Sequence, residues 1–201
     1  FDSKYGHRRD AKGYFICIII RPTMSEIIVI AHNIRSTHNV GSIFRTCEGF
    51  GVKRIILSGY TPYPELSLDP KNPSRAHIDS KVTQKDPRLP HVRQKITRDI
   101  HKTALGAEAI VPFEYHDTLD LGTLDIAGYR LVALEQAPNS IDIHHYQPTN
   151  KIALLLGEEV HGIEPELLKK VHDTIEIPMR GKKESFNVSV ATGIALYALT
   201  S

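Results

Sequence analysis

Three short stretches of this 201-residue chain gather polar side chains in a way that an ordinary core does not need. In "NIRSTHNVGSIFRTCEGFGV" (33–52), Asn39 stands at the expected start of a helix and Gly41 permits close backbone approach. Arg45 follows more than a turn into that helix, between Phe44 and Cys47, and Gly51 closes it. Asn39 reads equally as a cap and Arg45 as a surface charge. On a short helix with few polar positions, however, an arginine is either paired or used. In "LLLGEEVHGIEPELL" (154–168) an apolar run enters Gly157, two acids follow, and Gly162 precedes a helix opening near Glu164-Pro165. A glycine at the carboxyl end of a strand is where α/β sheets expose backbone to ligands. Glu159 there is either a loop acid or the partner of a basic group. In "IEIPMRGKKESFNVSVATGIALYAL" (175–199), Ser185 and Asn187 flank Phe186 directly before an apolar helix. A cap needs one such residue; two around an aromatic suit a loop that holds a ligand.

Common alternatives are excluded by spacing. "GFGVKR" (49–54) ends on Arg54 where a dinucleotide fingerprint needs glycine, and it follows a helix instead of opening one. "RGKKES" lacks the upstream glycine of a P-loop, no G-x-S-x-G or H-E-x-x-H occurs, and the eleven histidines show no ligand spacing. No metal site is expected. Two cysteines, Cys17 and Cys47, allow no disulfide framework and suggest a reducing, cytoplasmic setting. The run "YFICIII" (14–20) is far too short to span a bilayer and lacks a signal-cleavage site. Residues 1–23 read as a leader or extension, with Met24 opening the core domain of 24–201.

The elements that must position these residues follow from periodicity. Strands are expected over 26–31, 53–58, 107–113, 129–135, 151–157 and 174–178. Several are apolar without alternation, as strands buried on both faces are. Helices are expected at about 40–50, 91–104, 164–172 and 187–199, the last apolar on nearly every face and so buried within the domain or against a second subunit. The alternation predicts an α/β fold with a mostly parallel sheet. Residues 59–91 are a long loop without period. From Lys71 to Lys102 nine Lys/Arg face three Asp, a local charge of +6 in a chain whose total is +2. That surplus is either a solvated surface or a grip for phosphates.

Taken together and in order, the three stretches resemble the SpoU/TrmH family of RNA 2′-O-ribose methyltransferases, within the SPOUT superfamily. Asn39 and Arg45 match its first motif, Gly157, Glu159 and Gly162 its G-x-E-x-x-G, and Ile177 to Ala191 its I-P-M-x-G…S-[LF]-N-V-S-V-A, with Phe186 where leucine is commoner; "TALGAE" (103–108) also fits. The resemblance runs from about Met24 to the C-terminus. It implies a C-terminal trefoil knot, a homodimer, and an S-adenosylmethionine site built from Leu134, Gly157, Ile177, Met179, Ser185, Phe186 and Asn187. It implies catalysis at Arg45, with Asn39, Glu159, Ser185 and Asn187 orienting that arginine and the ribose. Since an arginine guanidinium keeps its proton, Arg45 is read as a phosphate ligand and alkoxide stabiliser. With 23 residues ahead of Met24 in this sequence, no N-terminal RNA-binding domain is expected there, and RNA (tRNA or rRNA) is expected to meet the basic stretch, at Arg88, Arg93, Lys95, Arg98 and Lys102. A non-catalytic RNA-binding paralogue and a base-methylating relative are the alternatives.

Overall fold

Apolar runs that do not alternate with polar residues must be covered on both faces, and the chain meets that demand with helices over one sheet. The computed structural model describes residues 5–9, 15–19, 25–66 and 86–201. The expected start at Met24 and the centre of the 59–91 loop lie outside the described residues, as do Lys71, Arg75, Lys81 and Lys85. Strands β1 (Tyr5–Arg9) and β2 (Phe15–Ile19) pair antiparallel as a separate hairpin, so most of the 14–20 apolar run is a strand. Seven strands form the main sheet: β3 (Glu26–His32), β4 (Arg54–Ser58), β5 (Phe113–His116), β6 (Arg130–Leu134), β7 (Ile141–Asp142), β8 (Lys151–Leu156) and β9 (Asp173–Glu176). Their order is β5-β4-β3-β8-β6-β9-β7, and every pairing is parallel.

Alternation along the central strands explains the continuous hydrophobicity. Ile27, Val29 and Ala31 of β3 join Ile55 and Leu57 of β4 and Leu154 of β8 in one core layer. Ile28 and Ile30 join Ile56, Ala153 and Leu155 in the other. Helices α1 (Thr37–Gly49), α2 (Pro90–Ala104) and α4 (Val188–Thr200) supply side chains to the first layer, while the short α3 (Pro165–Leu168) supplies Leu167 to the second. Phe44 of α1 meets Phe113 of β5 edge-to-face, ring centroids 5.5 Å apart.

Two expectations are corrected. Residues 107–113 are not one strand: Ala107–Ala109 is a 3₁₀ turn and the strand starts only at Phe113. The cause is local, because Leu105 and Gly106 take left-handed φ of 51° and 99° to end α2, and Glu108 accepts from the Gly106 amide at 2.9 Å. The helix expected at 164–172 stops at Leu168, since His172 is pulled onto β6, its amide donating to the Leu131 carbonyl at 2.8 Å and its Nδ1 accepting from the Leu131 amide at 3.0 Å. The two-residue β7 carries no periodic signal and escaped the sequence reading. Helix α4 buries Thr192, Ala195, Leu196 and Leu199 but leaves Val190 50% and Tyr197 68% exposed, so within this chain it is covered on one face only.

Gly41 sets the approach of α1 to α2: a Cβ there would overlap Thr103 Oγ1 and the Ile100 carbonyl oxygen. Alanine has the better helix propensity by about 1 kcal/mol, but a clash with backbone cannot be relieved by a rotamer change and overpacking costs about 1–3 kcal/mol. Gly41→Ala is therefore expected to lower the urea midpoint; an unchanged or raised midpoint would show that the α1–α2 contact is loose.

Candidate functional site

The site lies beyond the carboxyl ends of β3, β8, β6 and β9, where open parallel sheets bind ligands. Helix α1 begins differently from the sequence expectation. Ser36, not Asn39, is its N-cap, and Ser36 Oγ accepts from the Asn39 amide at 3.3 Å. Asn39 is thereby released for other contacts. Its Nδ2 donates to Glu159 Oε1 at 2.9 Å, and its Oδ1 accepts from Asn187 Nδ2 at 3.1 Å. Glu159 Oε2 also accepts from the Arg35 amide at 3.2 Å. Asn187 caps α4, its Oδ1 accepting from the amide and hydroxyl of Ser189 at 2.9 and 2.7 Å. One chain of hydrogen bonds, Glu159 to Asn39 to Asn187, thus ties together the three stretches that the sequence singled out.

Arg45 is exposed on the outer side of α1 and makes no hydrogen bond or ion pair among the described residues. Asn39, Glu159 and Asn187 bind one another, and none of them bonds Arg45. The guanidinium is free to take an anion.

Beside this network opens a cleft of about 380 Å³. Of the expected cofactor residues, Leu134, Gly157, Ile177, Ser185 and Phe186 line it; Met179 and Asn187 do not. Glycine at 157 is required by its surroundings, since a Cβ would lie 2.6 Å from both the carbonyl carbon and oxygen of Gly162. The wall 157–162 is a tight bridge in which the Glu158 and Gly162 amides and carbonyls exchange bonds of 3.1 and 3.0 Å. Gly162 has φ +68°, and the Glu135 carboxylate reaches past it to accept from the Ile163 amide at 2.9 Å. The other end of the cleft is closed by Gln136, whose Nε2 donates to the Glu184 carbonyl at 2.7 Å. Glu135, Gln136, Glu158, Val160, His161, Glu176 and Glu184 also line the cleft and were missed by sequence reasoning. Most lie one or two positions from a recognised motif residue, but their facing one another depends on tertiary placement that no local spacing encodes. Among the described residues no group of three or more His, Cys, Asp or Glu is placed to hold a metal ion.

The basic residues divide in two. Arg88 is built into the fold: it bonds both Asp86 oxygens and the carbonyls of Tyr63 at 2.7 Å and Pro64 at 3.1 Å, and lies 3.5 Å from the Tyr63 ring centroid. Arg93 pairs with Glu65 at 2.7 Å and is mostly covered. Lys95, Arg98 and Lys102 are exposed along α2, Lys102 pairing with Asp99 at 2.6 Å.

Burial works against a charge on Glu159, but donation from Asn39 and from the Arg35, Glu159 and Ser36 amides outweighs it, so the carboxyl is held below its ordinary value of 4.5. A carboxyl depressed in the folded state contributes stability that is complete above the unfolded value and is lost as the pH falls through the folded one. Glu159→Gln is accordingly expected to be less stable at pH 7 and to lose less stability below pH 4.5 than the parent, as read from urea midpoints across that window. Parallel pH curves for the two proteins would mean that the carboxylate is not held as a charge.

Residues 87–197 match the SpoU rRNA Methylase family. The chain is 27% identical over 179 residues to the tRNA (guanosine(18)-2′-O)-methyltransferase of Aquifex aeolicus, covering 89% of this chain and 71% of that protein. It is 24% identical to the Escherichia coli K12 protein of the same name, covering 90% of this chain and 66% of the relative. Among solved structures it resembles the AdoMet-bound rRNA methyltransferase of Sinorhizobium meliloti, with a TM-score of 0.66 at 25% identity over 90% of this chain and 57% of that one. The A. aeolicus TrmH/SpoU tRNA modifying enzyme aligns with a TM-score of 0.61 at 25% identity, over 88% of this chain and 74% of that one. The chain thus spans between about half and three quarters of these four relatives. With the motif residues gathered at one end of a parallel sheet and more than half its length within the family match, the chain belongs to the SpoU rRNA methylase family.

Proposed function

We propose that this protein transfers a methyl group from S-adenosylmethionine to a ribose 2′-hydroxyl of a tRNA or rRNA. The observation that carries the reading is the Glu159–Asn39–Asn187 chain of hydrogen bonds at the cleft wall, which holds the start of α1, the helix that bears an unpartnered Arg45. The family and the names of the relatives support the reaction class.

The cleft suits the methyl donor. Its size is that of a small-ligand site, and Gly157 and Gly162 bring backbone to its wall where any side chain would intrude. Leu134, Ile177 and Phe186 supply apolar walls for an adenine, and Gln136 and Ser185 supply polar contacts. Met179 is half-buried just outside the lining. Bound there, S-adenosylmethionine supplies a methyl group on a sulfonium, which passes to the ribose 2′-oxygen while the hydroxyl proton leaves to solvent. The protein's task is placement and charge stabilisation. Arg45 binds the phosphate beside the target ribose and stabilises charge developing on the 2′-oxygen. Asn187, held by Asn39, and Ser185 border the ribose. Glu159, ionised at neutral pH, fixes Asn39 and through it the start of α4.

The RNA lies against the outer face of α2. Lys95, Arg98 and Lys102 recur at three- and four-residue spacing and share one exposed face. Asp99 feels Lys102, Lys95 and His38 of α1, so this face continues onto the helix that bears Arg45. Arg88 and Arg93 are spent on Asp86, Tyr63 and Glu65 and take no direct part. The exposed Val190 and Tyr197 of α4, with Val160 at 68% and Phe186 at 42%, suit a second copy of the chain, giving a homodimer. The C-terminal segment would be threaded as the family's trefoil knot. No helix among the described residues is long and apolar enough to cross a membrane, and a cytoplasmic setting fits an RNA substrate.

Labelled methyl transfer to total tRNA and, separately, to rRNA tests the reading, with the product nucleoside identified by mass spectrometry. Wild type is expected to form a 2′-O-methylnucleoside. Arg45→Ala should lower transfer by about a hundredfold or more, the scale of losing one transition-state donor, with S-adenosylmethionine affinity kept. A base-methylated product, or equal transfer by Arg45→Ala, would overturn the assignment. A second measurement separates the two classes of basic residue. Lys95→Ala with Arg98→Ala should weaken RNA binding and flatten the slope of log K against log salt by about 1.5–2, without changing the thermal midpoint. Arg88→Ala should lower the midpoint instead.

A further inference from the structure

We infer that His32 and Asn33 are positioning residues, which hold both carboxylate oxygens of Glu164 and so lock the cleft wall 157–162 to the loop that leads into α1 and Arg45. The inference rests on the reading of the cleft as the methyl-donor site. Asn33 and Glu164 fall within the first two stretches but are not among the motif positions matched to the family, and His32 lies outside them.

The geometry is a three-way junction at the ends of neighbouring strands β4, β3 and β8. His32, the last residue of β3, is buried; its Nδ1 pairs with the hydroxyl of the fully buried Ser58 at 2.9 Å, at the end of β4. Its Nε2 lies 3.3 Å from Glu164 Oε2 and, carrying the ring proton, donates to that carboxylate while Nδ1 accepts from the Ser58 hydroxyl; Asn33 Nδ2 packs 3.0 Å from the same Nε2. Asn33 Nδ2 donates to Glu164 Oε1 at 3.1 Å, and Asn33 Oδ1 accepts from the Tyr60 amide at 3.3 Å. To do this Asn33 takes φ +58°, a left-handed conformation that asparagine tolerates better than most residues. Gly59 opposite it has no room for a side chain, since a Cβ would overlap Asn33 Oδ1. Thr61 closes the junction from below, its hydroxyl accepting from the Ile34 amide at 3.0 Å and contacting the Ala31 and Ser58 carbonyls at 3.1 and 2.8 Å.

Glu164 stands two residues beyond Gly162, the last lining residue of the wall. At the near side of the same wall, Glu159 is held by Arg35 and Asn39. The loop 32–39 therefore grips the wall at both ends, through one carboxylate each. A ligand seated against Gly157–Gly162 and a substrate held by Arg45 are placed in a common frame only while both grips persist. A shift of about 1 Å between reacting groups can cost on the order of a hundredfold in rate.

The test uses Asn33→Gly, which keeps the left-handed backbone free of strain and removes only the amide, together with Glu164→Ala and the double variant. Each single variant is expected to lower kcat for methyl transfer at least tenfold, with the S-adenosylmethionine Kd weakened by no more than about fivefold and the thermal midpoint nearly kept. The double variant should be no slower than the slower single one, because the two residues act through each other. Glu164→Gln, which still accepts from Asn33, should recover most of the rate. Unchanged kcat in Asn33→Gly, or losses that multiply in the double variant, would overturn the inference. Absence of any S-adenosylmethionine binding by wild type would instead sink the functional reading, so the two failures are distinguishable.

Discussion

The site depends on one carboxylate whose charge is met by neutral donors. Glu159 sits in the loop after β8, yet its partners come from the loop before α1, and the asparagine it holds passes the contact on to the start of α4. Segments 120 and 148 residues apart from Asn39 converge there. An ionised acceptor draws shorter and stronger hydrogen bonds than a neutral one, which is why a single glutamate can hold two backbone-led segments in register. Because every donor to it is neutral, its negative charge is spread over the network without being cancelled by a cation.

The sheet that brings these loops together was largely legible in the sequence. Apolar runs without alternation announced strands covered on both faces, and the two core layers divide their residues odd from even as that pattern requires. What misled the reading was local chemistry with a tertiary purpose. "AEAIVPF" has strand composition, but Leu105 and Gly106 turn the chain back and Glu108 caps that turn. "EPELLKKVH" has helix composition, but β6 captures His172 through the Leu131 backbone. Asn39 was legible as polar and well placed. Its freedom from capping was not, because that follows from Ser36 three residues earlier doing the same job better. Glu135 and Gln136 gave no signal in the sequence because their work is across the cleft, on Ile163 and Glu184.

Charge counting alone was a poorer guide than exposure. Arg88 and Arg93 fall in the most basic stretch of the chain, yet both are consumed by the fold. Arg88 stacks on Tyr63, itself stacked on Tyr115 with centroids 3.8 Å apart. A planar guanidinium suits this position because it can satisfy Asp86 and two carbonyls at once while lying on a ring. The lysines and arginine on the outer face of α2 have no such obligations beyond Asp99, and they stay solvent-facing.

The same distinction bears on Arg45. On the proposed reading, in which Arg45 meets a phosphate, an ion pair between Glu159 and Arg45 would have to be broken first, and the carboxylate left behind would repel the anion. The structure avoids both costs by satisfying Glu159 with Asn39 and backbone amides. The arginine therefore stands with no internal partner among the described residues, on a helix whose start is held by that same carboxylate through Asn39. On the proposed reading, a phosphate meeting this guanidinium at the right angle would gain a charge-assisted, two-pronged contact.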